Sequence, residues 1–549
     1  MGVMLVWTIL IPLIGALVVL LATPRSRPEL AGPIALIGSL LPLGLVIAMV
    51  RSFNFATCNM PAVVDVAWIQ EFGLRFTLGM DTISLWLVVL TAVLTPISVL
   101  ASFKYIKQRQ PEFYAWLLIL HAGMLGVFMA QDVLLFYFFF EFTLIPMFFI
   151  IGIWGGADRR NAAGKFFLFT FSGSVLTLAS LIYLAFFRSQ FAGAHPELHL
   201  TQGLSFALSD LYAIAPHVPV PLQYVLFLGM LAGFAVKVPL FPVHTWLPLA
   251  HTEAPTAGSV ILAGVLLKLG TYGILRFAIP IFPVAAWHYA PIIGGICVVG
   301  IIYGALVSWV QQDMKKLIAY SSVSHLAFCV LGMFALTKEG ITGSVMYMIN
   351  HGLSTGALFL VVGMIYERYH TRDMNQLSGL VRRLPALGFF AIFFVFSSVA
   401  LPGLNGFISE FLCLIGTFVS GRSVGGMQQG NLGPAYAIVA ATGVILGAVY
   451  MLYWAGKIIY GPLKEPHGDE HHEEGEHAGA VQDLSFREWA VLSPIAVLVV
   501  VLGVAPNWMM TTLKEPVEGI AKATWVKSGV PDVPAGQEHE SHADARVVH

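Results

Sequence analysis

The sequence is dominated by unbroken apolar runs of about 20 residues, the length at which an α-helix crosses the hydrocarbon core of a bilayer. Of its 549 residues, 57% are hydrophobic and 11% are charged, whereas ordinary soluble domains carry about 25% charged residues. The runs are continuous instead of short and alternating, which favours helices over a β-barrel. A formal net charge of −1 gives no reason to expect a nucleic-acid partner. The composition predicts an all-α integral membrane protein.

We expect fourteen spans, numbered in chain order, of which the seventh and the twelfth are broken. They lie near residues 3–22, 31–50, 82–102, 114–131, 133–153, 165–187, 223–247, 257–279, 289–309, 317–336, 343–366, 387–420, 434–456 and 488–508. The first run has no basic residues before it, so we interpret it as a retained span and not as a signal peptide.

The spans predict a division of the chain into five regions. These are N-terminal transmembrane helices 1–3 at 1–113, a first five-helix repeat at 114–279, a second at 289–456, a His- and acid-rich polar loop at 457–487, and a last transmembrane helix with a polar C-terminal tail at 488–549.

Basic residues are distributed unequally between the two sets of loops. Loops that follow odd-numbered spans carry 17 Lys and Arg, and loops that follow even-numbered spans carry six. The positive-inside rule places the first set in the cytoplasm and both termini on the outer side. The C-terminal tail holds four more, which leaves Lys237 and Lys268 as the two cations inside predicted spans.

Four charged residues therefore lie at bilayer depth. Among the 30 acids, Glu141 and Glu410 fall inside spans, as Lys237 and Lys268 do among the cations. A charge at that depth costs about 2.5–3.5 kcal/mol even on lenient insertion scales, so it usually marks an ion path or a partner. These four residues are the primary candidates for a functional site.

Two of the charges accompany helix breakers. Pro239 and Pro242 follow Lys237, and Pro402, Gly403 and Gly406 precede Glu410. Proline removes a backbone donor and interrupts the helix. The two broken spans lie five spans apart, and because five is odd, matching five-helix units would have opposite orientations. We expect inverted repeats formed by spans 4–8 and 9–13, with the site at the broken helices.

Buried lysines and carboxylates can move protons. Burial favours the neutral amine and a nearby carboxylate favours the ammonium ion, so a change in their separation loads or unloads a proton. Histidines in or near the spans could relay protons between the charges; they are His244, His251, His325 and His351. The competing interpretation is a set of static ion pairs that fix helix packing. Four charges on four spans, two of them broken, fit that interpretation poorly.

Other features give no cofactor site. The cysteines are scattered without CxxC spacing and are interpreted as small buried hydrophobes rather than an iron–sulfur or zinc set; they are Cys58, Cys297, Cys329 and Cys413. The sequence has no Rossmann fingerprint, no P-loop and no paired in-span histidines for haem. A tract at 467–477 is rich in histidine and acids. It could bind a divalent metal, but it has no fixed ligand spacing, which favours a solvated loop.

The charged spans carry a family resemblance. The stretch GFAVKVPLFPVHTWLPLAHTEAPTAGSVILAGVLLKLGTYG at 233–273 resembles the signature of the antiporter-like membrane subunits of respiratory complex I (NADH:quinone oxidoreductase) and of the related Mrp antiporters. The resemblance extends over YFFFEFTLIPMFFIIGIWG, KKLIAYSSVSHLAF, INHGLSTGALFLVVGMIYER and LPGLNGFISEFL. A glutamate on the broken twelfth helix, here Glu410, is similar to the M (ND4) type, whereas the L and N types carry lysine there.

The resemblance implies a proton-translocating subunit with fourteen helices and two inverted five-helix repeats. It implies that Glu141 and Lys237 are a charge-coupled pair, that Lys268 is a central relay and that Glu410 is the exit-side group. His325 and His351 match connecting positions, and His244 is a further possible relay. The implied partners are other membrane subunits of complex I, with L- and N-type neighbours, in a bacterial inner membrane. Flavin, iron–sulfur clusters and quinone are expected in partner subunits and none in this chain.

Two other functions stay open at this stage. A subunit of a Mrp-type cation/proton antiporter would run on ion gradients without redox chemistry. A structural membrane scaffold would translocate nothing, and neutralising Lys237 would leave proton movement unchanged.

Overall fold

The computed structural model describes residues 1–55, 62–195, 203–466 and 481–527. Within these residues, thirteen helices are long and apolar enough to cross a membrane, and two shorter apolar helices make up one further span. In chain order the spans are Gly2–Ala22, Pro28–Ser52, Thr82–Tyr105, Gln110–Met129, Val133–Trp154, Arg159–Ala194, Val220–Lys237 with Trp246–Glu253, Thr256–Ile281, Pro283–Trp309, Met314–Phe334, Lys338–Tyr369, Pro385–Ser398 with Asn405–Val419, Pro434–Ile458 and Phe486–Val504. The chain is a multi-pass membrane protein, and the predicted helical class is confirmed. The inverted relation between spans 4–8 and 9–13 stays a prediction.

The loops lie on two opposite faces of the helix bundle. On one face, which we call the basic face, Arg372 lies 3.4 Å from Asp313, and the Asp158 amide donates to Glu253 at 2.9 Å. This face collects the loops after odd-numbered spans. On the other face Trp525 Nε1 donates to the carbonyl of Leu336 at 3.1 Å. The grouping of loops agrees with the odd and even pattern of the sequence, and which face meets the cytoplasm stays a prediction.

Spans 8 and 11 form the centre of the bundle. The most apolar stretch of each is wholly buried, whereas only 33% of that stretch is buried in spans 1, 2, 13 and 14, which lie at the rim. Gly352 on span 11 lets these two central helices approach closely, because a Cβ atom there would lie 2.8 Å from the carbonyl oxygen of Gly264. Small residues allow such close backbone approach in membrane bundles. Lys268 and His351 are thus carried by the two most enclosed helices.

Two small sheets outside the spans were not predicted. Strands β1 (Ala62–Ile69) and β2 (Leu74–Gly79) form an antiparallel hairpin. Strands β3 (Arg422–Val424), β4 (Met427–Gln429) and β5 (Val526–Lys527) form a second sheet. Their strands are short and lie outside the long apolar runs, so a search for apolar runs of about 20 residues does not find them.

The region after span 14 differs from the predicted polar tail. The span ends at Val504, and a second helix follows over Asn507–Ala523. Its buried residues, Met509, Leu513, Val517 and Ile520, recur every three or four positions and form one apolar face. Charged residues on its other face make the segment less apolar on average, so composition alone does not reveal the apolar face.

Some predicted features fall outside the described residues. They are Cys58, the His and acid tract at 467–477, and the tail beyond 527. The other three cysteines are buried free thiols. Across the described ranges no group of three or more His, Cys, Asp or Glu side chains is placed to hold a metal ion.

Candidate functional site

Span 7 is interrupted directly after Lys237, as the two prolines predict. The helix Val220–Lys237 ends there and resumes at Trp246. Pro239 has no N–H to donate to the carbonyl of Ala235, which accepts the Leu240 amide at 2.9 Å instead. The carbonyl of Val236 accepts the Trp246 indole N–H at 2.9 Å. A break at membrane depth is tolerated where protein groups satisfy the freed backbone, and here side chain and main chain both do so.

The Lys237 ammonium lies in an aromatic pocket. The side chain is 1% exposed, and its Nζ atom has no hydrogen-bond partner among the described residues. Nζ lies 5.0 Å from the centre of the Phe140 ring and 5.7 Å from that of Phe166. Ring faces attract a cation at such distances, more strongly where water is excluded. The pocket therefore supports a charged lysine without fixing it by hydrogen bonds.

Glu141 is a neighbour of Lys237 without contacting it. The carboxylate is half-buried on span 5, and its electrostatic neighbours are Ser174 and Lys237. Within the described part of the chain, no ion pair within 4.0 Å joins Glu141 to Lys237, and Oε1 has no partner. Glu141 also lines an open apolar groove of about 470 Å³. The structure brings the two groups near each other, and their coupling stays a prediction.

Lys268 is held by an irregular stretch of span 8. The short α-helix Leu267–Gly273 lies between two π-helical turns, Leu262–Leu266 and Ile274–Ala278. π turns leave backbone carbonyls out of the regular ladder and often occur at functional sites. Nζ of Lys268 donates to the carbonyl of Ala263 in the first of these turns. Helix geometry and side chain thus support each other at a residue that is wholly buried.

A chain of polar contacts runs from Lys268 toward Glu410. Nζ of Lys268 lies 2.7 Å from Nδ1 of His351 on span 11. The ring of His351 is 5.8 Å, centroid to centroid, from that of His325 on span 10. Nδ1 of His325 lies 3.5 Å from Oε1 of Glu410 on span 12. Sequence reasoning proposed these four residues, and the fold places them in one row, in which ring packing and not a hydrogen bond relates the two histidines.

Tyr347 closes the link at the Glu410 end. Its hydroxyl donates to Oε1 of Glu410 at 2.7 Å, and its oxygen lies 2.6 Å from Nδ1 of His325. A tyrosine hydroxyl has one proton, so the second contact requires His325 to donate from Nδ1. Nε2 of His325 remains for Tyr450 at 3.2 Å and Ser398 at 3.4 Å. Each polar atom of this imidazole is therefore used.

A small cavity lies beside the row. Its volume of about 20 Å³ is bounded by residues that include His325, His351, Ser398 and Glu410. A water molecule needs about 10–15 Å³ of such space and two or more polar partners. Nε2 of His351 has no partner among the described protein groups. The cavity has the size and lining to hold one bridging water between the two histidines.

Hydrogen bonds across the break fix span 12 to span 11. The helix Pro385–Ser398 ends before the break, and the helix Asn405–Val419 begins after it. Asn350 donates to the Asn405 carbonyl at 2.7 Å, and the Asn405 side chain accepts from Ser397 at 2.6 Å. These contacts hold Glu410 one turn further along the second half-helix.

His244 lies apart from the row. It falls in the break of span 7, is 3% exposed, and its Nδ1 has no partner among the described residues. Its ring packs against Phe241 and Tyr303, with centroids 5.9 Å and 5.2 Å away. Lys165 is its charged neighbour. Its predicted relay role concerns the Lys237 end and stays a prediction.

Three residues counted as loop cations are buried, which corrects the sequence-based count of charges. Arg188, near the end of span 6, is wholly buried and pairs with Asp210 at 2.9 Å. Arg276, at the end of span 8, is 6% exposed and pairs with Asp81. Lys315, at the start of span 10, is 5% exposed. All three lie toward span ends, where sequence position alone cannot separate a solvated side chain from one covered by neighbouring helices.

Sequence reasoning also missed three polar residues without charge, which are Tyr347, Asn350 and Ser354. They share one face of span 11 with the predicted His351, and all four line the same cavity. Their spacing of three, one and three residues is the spacing of a helix face. A search for polar residues at helical period inside apolar spans would have found this stripe.

Known proteins are similar to this chain over most of its length. Residues 130–427 match the family described as "NADH:quinone oxidoreductase/Mrp antiporter, TM", and residues 39–130 match "NADH-ubiquinone oxidoreductase chain 4, amino terminus". The chain is 40% identical over 519 residues to NADH-quinone oxidoreductase subunit M of Rhodobacter capsulatus, covering 92% of this chain and 94% of that one. The chain belongs to the subunit M (chain 4) family of NADH-quinone oxidoreductase.

Two further similarities agree with membership of this family. NADH-ubiquinone oxidoreductase chain 4 of Chondrus crispus is 38% identical over 504 residues, covering 92% of this chain and 94% of the relative. A chain in the structure of respiratory complex I from Thermus thermophilus with bound NADH superposes with a TM-score of 0.78 at 28% identity. That superposition covers 95% of this chain and 99% of the other. The similarity therefore includes the described site and both broken spans.

Proposed function

We propose that this chain is a proton-translocating membrane subunit of NADH:quinone oxidoreductase. It would move protons along buried Glu, Lys and His side chains, driven by redox chemistry that takes place in other subunits of the complex. Relatives that match over more than nine tenths of this chain are named as subunits of that oxidoreductase. Flavin, iron–sulfur clusters and quinone would be bound by partner subunits.

One observation supports this function above the others. The row from Lys268 through His351 and His325 to Glu410 is built of titratable groups on four different spans, in the most buried part of the bundle. A static ion pair needs two groups and no space between them. This row has an amine, two imidazoles and a carboxylate in sequence, with a water-sized cavity beside the imidazoles. Such an order suits stepwise transfer of a proton.

Each transfer conserves the proton and the charge it carries. The Lys268 ammonium donates to Nδ1 of His351, which leaves a neutral amine and an imidazolium. His351 then releases a proton from Nε2 toward His325, either directly or through the cavity. His325 passes the proton from Nδ1 to the Glu410 carboxylate, with Tyr347 hydrogen-bonded to both. Glu410 is the group from which the proton leaves the row.

The pair Glu141 and Lys237 would drive the row. A conformational or electrostatic change from a neighbouring subunit would alter their separation and with it the charge on Lys237. At an effective dielectric of about 20, two unit charges about 4 Å apart interact by roughly 4 kcal/mol. Because no hydrogen bond to the described residues fixes Lys237, its ammonium is free to respond to that change. A shift in its charge would repel or release the proton on Lys268.

The surroundings of the subunit follow from the same proposal. The implied partners are other membrane subunits of the complex, with L- and N-type subunits on its flanks. The membrane would be the bacterial inner membrane, with the basic face in the cytoplasm and both termini outside. Spans 1, 2, 13 and 14 expose much of their apolar surface and are available to lipid or to those neighbours.

A Mrp-type antiporter subunit is the alternative function. The family that covers residues 130–427 includes both kinds of protein by its description. The separate match of residues 39–130 to the amino terminus of chain 4 favours the oxidoreductase. Co-purification of flavin and iron–sulfur with the native assembly would discriminate between the two.

The proposal is tested with the native complex in sealed vesicles. Quinone reduction by NADH and proton translocation are measured for wild type, Lys237→Ala and Glu141→Ala, with assembly checked by native gel electrophoresis. Loss of both activities in assembled complex is the expected result. Normal translocation in both variants would overturn the charge-pair mechanism and favour a scaffold. Absence of any NADH-driven activity in wild type would favour the antiporter.

A further inference from the structure

An apolar groove on the outside of the bundle takes no part in the row described above. It has a volume of about 800 Å³ and runs between spans 2, 3 and 14. Spans 2 and 14 each pack against span 3, which forms the floor of the groove. Volumes of about 300–1,000 Å³ are typical of ligand sites. The groove is therefore large enough to hold a molecule.

The groove follows the length of span 2. Its lining begins at Leu36 and reaches Arg51, a distance of about 22 Å at the helical rise of 1.5 Å per residue. Half of a bilayer's hydrocarbon core is about 15 Å thick. Ile47 and Val497, on the two walls, are 48% and 60% exposed, so the groove is open along its side. A long and thin apolar molecule fits this shape.

The floor of the groove is one face of span 3. It is lined by Val89, Val93, Pro96 and Leu100, whose spacing of four, three and four residues is that of a helix face. The valines and the leucine are only partly buried, although most of this span is covered by its neighbours. Span 3 therefore has an apolar stripe that the groove leaves uncovered.

A single charge lies at one end of the groove. Among the described residues that line it, Arg51 alone is charged. Arg51 lies in the last turn of span 2, at the face opposite the basic one, and is exposed. Its side chain forms no ion pair or hydrogen bond with the part of the chain that the structure describes. The guanidinium is therefore available to an anion.

Two tryptophans surround the same end of the groove. Trp86 and Trp508 both line it, with ring centroids 5.0 Å apart and planes at 79°. The Trp86 Nε1 atom donates to Oγ1 of Thr512 at 3.0 Å, which fixes this ring, whereas Trp508 is 43% exposed. Tryptophan is enriched at the level of lipid headgroups. The position of this pair indicates that the charged end of the groove lies at that level.

We propose that this groove binds an anionic phospholipid, with an acyl chain along span 3 and the phosphate on Arg51. The lining is apolar over about 22 Å and ends in one unpaired guanidinium, and a phospholipid is an apolar chain that ends in one anion. A guanidinium binds phosphate oxygens through parallel N–H groups. A partner helix would need an acidic side chain at the level of Arg51, whereas a phospholipid carries its phosphate at that level. The site does not depend on proton translocation.

The bound chain supports the centre of the bundle through span 3. A second face of this span carries Leu90 and Leu94, which lie at the contact of spans 8 and 11. A Cβ atom at Gly352 would lie 2.9 Å from Leu90, and one at Gly264 would lie 2.5 Å from Leu94. An acyl chain on the uncovered stripe thus packs against the helix that supports the two central spans. A ligand that binds only the folded state stabilises it.

The test uses the native complex in phosphatidylcholine vesicles that contain a small fraction of phosphatidylglycerol with a photoactivatable group on its acyl chain. After irradiation, mass spectrometry measures the lipid attached to peptides of spans 2, 3 and 14. Arg51→Gln removes the charge, and Val93→Phe fills the floor and keeps the charge. Arg27→Gln, at an exposed arginine beside the other end of span 2, is the matched control. Photoactivatable phosphatidylcholine in place of phosphatidylglycerol distinguishes an anionic lipid from any lipid.

We expect labelling of the groove by phosphatidylglycerol to fall several-fold in Arg51→Gln and in Val93→Phe, and to match wild type in Arg27→Gln. Equal labelling by the two lipids, unchanged in Arg51→Gln, would show ordinary contact with the bilayer and overturn the site. Groove peptides without label in wild type would mean that something other than lipid covers them, with the same consequence. If Arg51→Gln does not assemble, Val93→Phe decides, because unchanged labelling in that variant overturns the site.

The stabilising role has its own measurement. Unlabelled phosphatidylglycerol should raise the thermal midpoint of the wild-type complex and raise it less in Arg51→Gln, which has lost the contact with the phosphate. An equal rise in Arg51→Gln and wild type would mean that the lipid acts elsewhere on the complex. No rise in wild type would overturn the support of the central spans by the bound chain.

Discussion

The Nζ atom of Lys268 lies 2.7 Å from Nδ1 of His351, and the contact joins the two most buried spans of the protein. No carboxylate within 4.0 Å balances either group among the described residues. Two positive charges at this distance would repel strongly in a medium of low dielectric. The pair therefore holds one proton more readily than two, and under the proposed function we expect a second proton that arrives at Lys268 to displace the first toward His325.

Replacing Lys268 by arginine should stop this displacement. Lys268→Arg keeps the charge, but the guanidinium does not release its proton. We expect proton translocation by the assembled complex to fall about 100-fold or more, since a general acid–base group typically contributes about 10²–10⁴-fold. Initial rates of vesicle acidification per quinone reduced check this. Near-normal rates in Lys268→Arg would mean that Lys268 contributes only a fixed charge.

Removing the Tyr347 hydroxyl should weaken the exit end of the row. Tyr347→Phe deletes the donor to Glu410 and the acceptor for His325, at 2.7 Å and 2.6 Å. A buried carboxylate that loses a donor costs about 1–3 kcal/mol, so we expect slower translocation and a lower thermal midpoint of the complex. Phe328, whose ring stacks on that of Tyr347, offers a control. Phe328→Leu should lower the midpoint without slowing translocation.

The approach of spans 8 and 11 predicts a strict size limit at Gly352. A Cβ atom there would lie 2.8 Å from the Gly264 carbonyl and 2.9 Å from the Leu90 side chain. Gly352→Val should push the helices apart and break the contact between Lys268 and His351, so translocation should fall with quinone reduction. Gly295→Val is the matched control, since a Cβ at Gly295 meets nothing within 4 Å. Equal activity of the two variants would contradict this account.

The buried pair of Asp81 and Arg276 should stabilise the fold and not the proton path. Asp81→Asn keeps the helix cap, in which the Ser84 amide donates to Oδ1 at 2.9 Å, but leaves Arg276 unpaired. Removing one partner of a buried pair costs about 3–5 kcal/mol, which should appear as poor assembly or a lower thermal midpoint. Asp65→Asn removes an exposed partner of Arg75 and should cost at most about 1 kcal/mol. Similar losses of stability in Asp81→Asn and Asp65→Asn would contradict this prediction.

Asp132 predicts a pH dependence at the face opposite the basic one. It precedes span 5, caps it through Oδ1, and burial raises its pKa to about 6. A carboxyl whose folded pKa exceeds its unfolded value binds its proton first when folded, so its contribution to stability grows as pH falls through about 6. From pH 8 to pH 5 that gain is roughly 1 kcal/mol. Asp132→Asn keeps the cap and should lack this part of the pH dependence of the thermal midpoint. The same pH dependence in Asp132→Asn and in wild type would contradict this prediction.

The spans and the charged residues could be predicted because both depend on local sequence. About 20 apolar residues in a row cross a bilayer whatever surrounds them, and a proline interrupts a helix through its own missing N–H. For this reason the amino-acid sequence alone identifies the four charges at bilayer depth, which are Lys237, Lys268, Glu141 and Glu410. The amphipathic helix Asn507–Ala523 could not be found by the same search for long apolar runs, because it is much less apolar than the spans.

The connections between these residues depend on which helices become neighbours. Nothing in the sequence near Lys268 specifies His351, which lies 83 positions away, and Tyr347 is an ordinary aromatic residue until span 12 places Glu410 beside it. Lys315 has the sequence position of a loop cation, and its contact with the end of span 7 becomes visible only in the tertiary structure. Packing across the bundle decides these contacts, and its rules act between residues far apart in the chain.

The sequence by itself determined that the chain crosses a membrane many times, where two spans break, and which four charges lie between the faces, since each follows from the cost of placing a polar group in hydrocarbon. The tertiary structure alone decided that Lys268, His351, His325 and Glu410 stand in one row, and that Lys237 lies among aromatic rings instead of against a carboxylate. The physical reason is that hydrocarbon penalises a charge residue by residue, whereas a proton path requires several helices to pack at the same place.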